Sequence, residues 1–367
     1  MRKIISFLCA LSIVFIAPEV SASIEPNISA AAVALINAET GEVLYGENET
    51  EKLPMASTTK IMTALLSIEA GNLDEKFTVD SNAIRVEGTS MGLKEGDKVT
   101  LYELCVGMLL SSGNDAANAA AVRVGGSIEA FVEMMNEKAE KLSLTSTNFE
   151  TVSGLDSKGH GSSALDMARL GAKALENEVF KSICSSKSVK VCFGQPEIQR
   201  TLYNHNKLLT LDEDIIGVKT GYTKKAGRCL VSAKEVDGIT LVAVTLNASD
   251  DWNAHIKLFD YGFSKVQTKT SAKESFSVSV VGGEKDKIAL ISSSAEISYI
   301  GDITEKIFLP QFAYAPINEG DKIGEKRFYS GGKEISSAPI FAAESIALFE
   351  KEGIIQKIKR FFASFFG

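Results

Sequence analysis

The hydrophobic and polar positions of this 367-residue chain predict helices mixed with strands up to about Phe263. Apolar residues recur there either at helical spacing or in short β-branched runs separated by turn residues. The predicted helices after the Pro54 stretch are Leu101–Leu110, Asp115–Val124, Ile128–Leu142, Met167–Leu175 and Trp252–Tyr261. The predicted strands are Ala30–Ile36, Glu42–Tyr45, Ile215–Val218, Cys229–Ala233 and Thr240–Leu246, the last three in one antiparallel sheet.

After Phe263 the pattern changes to short alternating runs, of which S-F-S-V-S-V-V at residues 275–281 is the clearest. Glycine-containing turns separate these runs, and several short strands at such spacing are typical of a small all-β sandwich. The predicted strands are Ser275–Val281, Lys287–Ile291, Ile297–Ile300, Lys306–Leu309 and Lys326–Tyr329. No catalytic constellation lies among them, so we expect a spacer or positioning domain.

The two ends of the chain have their own patterns. Residues 1–22 combine a basic start, a short apolar stretch and the small residues Val20-Ser21-Ala22, which predicts a secretory signal peptide. A retained anchor is the alternative, disfavoured because about 20 apolar residues are needed to span a bilayer. Residues 342–367 end in phenylalanines and isoleucines at three- and four-residue steps among basic residues. This predicts a helix lying in a membrane interface, with packing on the protein's own core or a partner as the alternative.

The composition of the chain excludes several classes of function. A net charge of −8 argues against nucleic acid as the main partner. The three histidines are too scattered to suggest a metal site, and no phosphate loop or dinucleotide fingerprint is present, so we expect neither metal nor cofactor. Among the cysteines, Cys184 and Cys192 are close enough in sequence to pair, whereas Cys105 lies in an apolar run and should be a buried thiol.

Candidate chemistry begins in a hydroxyl-rich stretch at residues 54–66, P-M-A-S-T-T-K-I-M-T-A-L-L. Ser57, Thr58 and Thr59 suit a helix N-terminus, where short side-chain oxygens cap free N–H groups. Lys60 follows Ser57 by about one helical turn, so both side chains share a face. Serine is a weak nucleophile until a base takes its proton, and lysine is such a base only when neutral. An ordinary capped helix with an exposed lysine is the simpler interpretation of this tetrad alone.

Two further motifs follow in order along the chain. Ser112-Gly113-Asn114 lies between two predicted helices, and Lys219-Thr220-Gly221 follows a predicted strand. Each motif type also occurs once more in another context, at Ser330–Lys333, Ser146–Asn148 and Lys269–Ser271. Only the first set combines order, spacing and structural context.

In that combination the chain resembles the penicillin-interacting serine acyltransferases. Residues 32–44, 111–118 and 218–227 are similar to the low-molecular-mass penicillin-binding proteins that are serine-type D-alanyl-D-alanine carboxypeptidases. The resemblance implies an α+β, β-lactamase/transpeptidase-like catalytic domain at 23–265, with an antiparallel sheet and a helical cluster. A β-sandwich domain at 270–341 and the amphipathic helix at 342–367 would follow it.

The resemblance also implies a substrate and a set of site residues. The substrate would be a peptidoglycan stem peptide ending in D-Ala-D-Ala, and β-lactam antibiotics would acylate the same serine. The protein would be exported to the outer face of the cytoplasmic membrane. The implied catalytic residues are Ser57, Lys60 and Ser112, and the implied substrate-binding residues are Asn114, Lys219, Thr220, Gly221 and Tyr222.

Two positions depart from the family pattern. Ser153 stands where relatives often have a histidine, and Asn247-Ala248-Ser249 stands near the place of an arginine that binds the substrate carboxylate in some relatives. Arg228 is a candidate replacement. Asp166 is expected to be a structural helix cap rather than a catalytic acid.

Two rival functions stay open at this point. A class A β-lactamase would normally have a Glu-x-x-Leu-Asn segment, which is missing between Asn148 and Asn206. A non-catalytic wall or membrane scaffold is disfavoured by the intact Ser57, Lys60 and Lys219.

Overall fold

The structure is a computed structural model that describes residues 25–350. Its helices are α1 (Lys60–Glu69), α2 (Leu101–Leu110), α3 (Asn114–Gly125), α4 (Ile128–Lys141), α5 (Ala164–Leu175), α6 (Glu178–Ser185), α7 (Leu208–Leu211) and α8 (Asp251–Phe263). Its strands up to α8 are β1 (Ala32–Asn37), β2 (Val43–Glu47), β3 (Phe77–Thr78), β4 (Lys98–Val99), β5 (Ser188–Gly194), β6 (Glu197–Tyr203), β7 (Ile215–Thr223), β8 (Gly227–Val236) and β9 (Ile239–Ala248). The strands after α8 are β10 (Gln267–Ser271), β11 (Ser275–Val281), β12 (Lys287–Ser292), β13 (Ala295–Tyr299), β14 (Ile303–Phe308), β15 (Phe312–Tyr314), β16 (Lys322–Ser330) and β17 (Lys333–Ala342).

The first part of the chain is built on a five-stranded antiparallel sheet in the order β2-β1-β9-β8-β7. Strand β1 is apolar along nearly its whole length because both faces of the sheet are covered. Ala34 and Ile36 pack into the helical cluster on one face, whereas Val33 and Leu35 pack with Leu258 of α8 on the other. The predicted sheet, its helical cluster and its closing helix are therefore confirmed.

The helices are held by local capping chemistry. Thr100 and Glu103 form a capping box at the start of α2. Ser163, not Asp166, caps α5, because the Ser163 hydroxyl accepts the Asp166 N–H. The Asp166 carboxylate instead accepts hydrogen bonds from Ser146 N and Thr147 Oγ1 at 2.8 Å each. The expected cap was wrong, while the structural role of Asp166 is as expected.

The second part is all β. One sheet has six strands in the order β14-β16-β17-β12-β11-β15, and β10 and β13 form a two-stranded sheet. Ile297 of β13 packs on Phe328 and Ala338, which lie on β16 and β17, so the small sheet covers part of the large one. The predicted mixed α+β fold with a sheet-rich C-terminal domain is confirmed.

The predicted end segments lie largely outside the described residues. This applies to the signal peptide at 1–22 and to residues 351–367 of the amphipathic helix. Residues 342–350 are not helical, because Ala342 ends β17 and Ile346 and Leu348 form isolated bridges. Among residues 25–350, no helix is both long enough and apolar enough to traverse a bilayer.

Candidate active site

Ser57 lies in a single 3-10 turn, Ala56–Thr59, that leads directly into α1. The expected capping by Ser57, Thr58 and Thr59 is wrong, since neither this turn nor α1 has a side-chain cap. The threonine hydroxyls instead donate backwards, Thr58 Oγ1 to Met55 O at 2.6 Å and Thr59 Oγ1 to Ala56 O at 2.8 Å. The Ser57 hydroxyl therefore does not cap a helix. Ser57 is half-buried beside Lys60.

Lys60 makes three close polar contacts although it is fully buried. Its Nζ lies 2.9 Å from Ser57 Oγ, 2.8 Å from Asn114 Oδ1 and 2.6 Å from the carbonyl oxygen of Ser153. The Asn114 amide is oriented by its other end, because Nδ2 donates to Glu87 O at 2.7 Å. The oxygen of that amide consequently faces the lysine.

The electrostatics of the site favour uncharged lysines. Burial, and secondarily the charge of Lys219, holds the pKa of Lys60 well below its usual range, against a weaker opposite effect of Asp115. Burial alone lowers the pKa of Lys219 to about 7. Of these two lysines, Lys60 is therefore the better suited to act as a base, because its pKa is the more strongly lowered.

The second motif forms the turn between α2 and α3. Ser112 has a φ of +58°, a left-handed conformation that is costly for a serine and recurs at functional sites. Gly113 N donates to Gly107 O and Asn114 N donates to Thr89 O, and these bonds fix the turn. Ser112 is buried and lines the same cleft as Ser57.

The third motif lies on β7, which passes close to the nucleophile. A Cβ at Gly221 would lie 3.0 Å from Ser57 N and 3.1 Å from Thr58 N, so glycine is what lets the strand approach the turn. Lys219 is buried and donates from Nζ to Thr220 O at 2.8 Å. The three motifs, far apart in sequence, therefore meet as the sequence predicted.

Between these elements lies a cleft of about 450 Å³. Its lining residues are Ser57, Thr89, Ser112, His205, Thr220, Gly221, Tyr222, Arg228, Asp251 and Trp252. Arg228 stands opposite Tyr222 on the neighbouring strand and stacks 5.6 Å from the Trp252 ring centroid. Asp251 Oδ1 accepts from Arg228 Nε at 2.9 Å and from Nη2 at 2.5 Å, which fixes the guanidinium at the cleft.

Sequence reasoning missed Asp115 as a residue that shapes the cleft. Its buried carboxylate accepts hydrogen bonds from Ser90 Oγ and from the N–H groups of Met91, Gly92 and Leu93, at 2.6–3.1 Å. These bonds hold the loop that includes Thr89 against α3. An aspartate directly after Ser-Gly-Asn, in the first turn of a helix, is the only sequence signal for this role.

The remaining candidates from the sequence lie elsewhere. Ser330 and Lys333 pair across the β16–β17 turn, so this second Ser-x-x-Lys is part of a hairpin. Cys184 and Cys192 do not form a disulfide, and Cys105 is a buried thiol as expected. Residues 25–350 contain no group of three or more His, Cys, Asp or Glu side chains placed to hold a metal.

This fold and cleft define a serine acyltransferase of the penicillin-interacting class. Residues 19–250 match the sequence model of the D-alanyl-D-alanine carboxypeptidase family, and residues 261–347 match that of the penicillin-binding protein 5 C-terminal domain. The chain therefore belongs to the D-alanyl-D-alanine carboxypeptidase family, as its motifs predicted.

Individual relatives agree with this assignment. The chain is 32% identical to the D-alanyl-D-alanine carboxypeptidase DacF of Bacillus subtilis, over 90% of this chain and 88% of the relative. It is 35% identical to DacC of Escherichia coli, over 88% and 85%. Penicillin binding protein 5 from Haemophilus influenzae superposes with a TM-score of 0.63 at 27% identity, over 88% of this chain and 99% of that one. The Streptomyces K15 DD-transpeptidase gives 0.63 at 29%, over 66% and 99%.

Proposed function

We propose that this protein removes the terminal D-alanine from peptidoglycan stem pentapeptides through an acyl-enzyme on Ser57. The proposal rests above all on the 2.9 Å contact between Lys60 Nζ and Ser57 Oγ at the floor of a cleft. In the first step Ser57 Oγ bonds to the carbonyl carbon of the penultimate D-alanine, and the bond from that carbon to the terminal D-alanine nitrogen breaks.

Lys60 takes the proton of Ser57 in this step. A neutral amine has two N–H donors and one lone pair. The two donors satisfy Asn114 Oδ1 and Ser153 O, which leaves the lone pair for the Ser57 hydroxyl. The strongly lowered pKa of Lys60 supports this assignment, because a charged lysine could not accept a proton.

The leaving D-alanine nitrogen needs a proton, which Ser112 relays from Lys219. Ser112 lines the cleft, and a pKa of about 7 lets Lys219 both hold and release a proton near neutral pH. The proton that Lys60 took from Ser57 then passes to Lys219, which restores both lysines. Water next attacks the carbonyl carbon of the acyl-enzyme with neutral Lys60 as the base, the bond from that carbon to Ser57 Oγ breaks, and Ser57 Oγ takes the proton back from Lys60 as the shortened peptide leaves. A β-lactam would enter the same route and stop at the acyl-enzyme.

Binding groups surround the reacting carbonyl. The N–H groups of Ser57 and Tyr222 hold the oxyanion, and losing one such donor typically costs about 3–4 kcal/mol of transition-state stabilisation. Asn114 hydrogen-bonds the substrate amide or, through the contact of its Oδ1 with Lys60, orients that lysine. Thr220 binds the terminal carboxylate, and Arg228 joins it, because Arg228 lines the same cleft and is already oriented by Asp251.

We further propose that the protein acts outside the cytoplasmic membrane, after removal of residues 1–22. Residues 23–265 form the catalytic domain, residues 270–341 the β-sandwich domain and the C-terminal tail a membrane-associating segment. Support for the tail comes from its sequence alone, in which basic residues alternate with isoleucines and phenylalanines.

Labelling with a fluorescent penicillin tests the proposal. The wild-type protein should form a stable adduct, and Ser57→Ala should form none while keeping the wild-type unfolding transition. Rapid turnover of the penicillin would instead indicate a β-lactamase. Labelling that persists in folded Ser57→Ala would reject Ser57 as the nucleophile.

A further inference from the structure

A chain of buried hydrogen bonds ends on the peptide bond that precedes the nucleophile. It begins at His160, which is 7% exposed and lies on the segment between α4 and α5. His160 Nε2 lies 2.8 Å from Thr59 Oγ1, and Thr59 Oγ1 lies 2.8 Å from the carbonyl oxygen of Ala56. Neither side chain lines the cleft, and neither has a part in the proposed chemistry.

The direction of this chain follows from the groups at its two ends. Glu150 N donates to His160 Nδ1 at 3.1 Å, so the ring proton lies on Nε2. Nε2 therefore donates to Thr59 Oγ1, and the hydroxyl proton of Thr59 has only the Ala56 carbonyl left to receive it. Burial lowers the pKa of His160 to about 4, which keeps the ring neutral and this tautomer in place at neutral pH.

The receiving carbonyl belongs to a strained part of the backbone. Ala56 has a φ of +49°, a left-handed conformation that costs an alanine about 1–2 kcal/mol. Without an external contact this residue would relax towards a more ordinary conformation and turn the next peptide plane. The Thr59 hydroxyl bonds the carbonyl on one side, and Gly154 packs against it on the other.

The peptide bond is planar, so the carbonyl of Ala56 and the N–H of Ser57 point in fixed opposite directions. A hydrogen bond that fixes this carbonyl consequently fixes the direction of the Ser57 N–H. It also polarises the peptide, which makes its N–H a stronger donor.

We infer that His160 and Thr59 are positioning residues that aim the Ser57 N–H at the oxyanion. This inference rests on the proposed function, in which that N–H is one of two oxyanion donors. His160 holds Thr59, Thr59 holds the Ala56 carbonyl, and the peptide plane transmits the constraint to the reacting carbonyl oxygen.

The test removes the Thr59 hydroxyl with little change of shape. Thr59→Val should lower kcat for D-alanine release, and the rate of penicillin acylation, by about tenfold or more. Complete loss of an oxyanion donor costs roughly 10²–10³ in kcat, and a misdirected donor keeps part of its effect. KM should change by less than about twofold, because the oxyanion exists only in the transition state. Thr59→Ser retains the hydroxyl and should restore most of the rate.

Ser67→Ala is the matched control for a lost buried hydroxyl. Ser67 Oγ donates to Thr63 O at 2.7 Å in the same helix, about three turns from the nucleophile. This variant should lower the unfolding temperature without changing kcat. A Thr59→Val protein that releases D-alanine at the wild-type kcat would overturn the inference, as would a Thr59→Ser protein as slow as Thr59→Val.

A second pair of variants covers the case in which Thr59→Val does not fold. His160→Gln can still donate an N–H to Thr59, whereas His160→Leu cannot, so the glutamine variant should be the faster of the two. Equal kcat values would contradict the inference. Failure of the proposed function is a separate result, since it would appear as continued labelling of Ser57→Ala.

Discussion

One methyl group added at Gly154 should disable Ser57 while leaving the protein folded. Gly154 follows Ser153, whose carbonyl binds Lys60, and it packs directly under the nucleophile's turn. An added Cβ would overlap the carbonyl group of Ala56 and lie 2.9 Å from Ser57 N. The Gly154→Ala protein can relieve this overlap only by moving the turn or the 153–154 backbone.

The structure sets the size of the effect. Gly154 has a φ of +85°, so alanine costs about 1–2 kcal/mol from backbone strain alone. The contact with Ser57 N is about 0.5 Å shorter than an ordinary van der Waals contact, and the overlap with Ala56 requires a larger shift. A displacement of about 1 Å in a catalytic site can cost a factor of about 100 in rate. We therefore expect acylation by penicillin to slow about 100-fold.

The variant Gly126→Ala separates the effect of backbone strain from the effect of steric overlap. Gly126 has a similar φ of +79°, but an added Cβ there meets no heavy atom within 4 Å. Both variants should lose stability from backbone strain in urea unfolding, with a larger loss in Gly154→Ala because of the overlap, and only Gly154→Ala should label slowly with fluorescent penicillin. Equal labelling rates in the two folded proteins would refute the argument that this packing sets the position of Ser57.

Three further predictions concern Lys219, Arg228 and the C-terminal tail. Lys219→Gln removes a charge that lowers the pKa of Lys60, so the acid limb of the acylation rate should move to higher pH. Since the pKa of Lys219 is about 7, the difference from wild type should be largest below pH 7 and fade above it; an unshifted limb would contradict this. Arg228→Gln should raise KM for a D-Ala-D-Ala peptide by about 10-fold or more, as expected for a lost ionic hydrogen bond of about 1.5–3 kcal/mol, whereas an unchanged KM would exclude Arg228 from carboxylate binding. Removing residues 351–367 should abolish sedimentation with anionic lipid vesicles, and unchanged sedimentation would reject the tail as the membrane-associating segment.

Local sequence signals predicted the main sheet of the catalytic part and most of its helices, whereas α6, α7, β5 and β6 were not predicted. Helix α2 has its predicted bounds, Leu101–Leu110, and the capping box of Thr100 and Glu103 accounts for its start. Strand β17 was not predicted, and it contains Pro339, a residue that is unusual within an internal strand. In the structure β12 pairs with β17 only at Ile340–Ala342, so the missing N–H of Pro339 leaves no gap in that ladder.

The parts of the site that depend on side-chain chemistry could be predicted from the sequence. The parts that depend on backbone groups or on tertiary packing could not. Ser57, Lys60 and Lys219 could be found from motif order, because their chemistry depends on residue type. The carbonyl of Ser153 could not be found this way, since any residue at that position offers the same acceptor. The Arg228–Asp251 pair depends on how β8 and α8 meet in space, which short motifs do not report.

Release of D-alanine from a cell-wall pentapeptide ending in D-Ala-D-Ala tests the central claim most directly. The wild-type protein should release one D-alanine per peptide and leave a tetrapeptide, with product formation abolished in Ser57→Ala. Adding an amine acceptor distinguishes hydrolysis from transfer, and a carboxypeptidase should still form mainly the tetrapeptide. Release at the wild-type rate by folded Ser57→Ala, or no release by wild-type protein that labels with penicillin, would contradict the account.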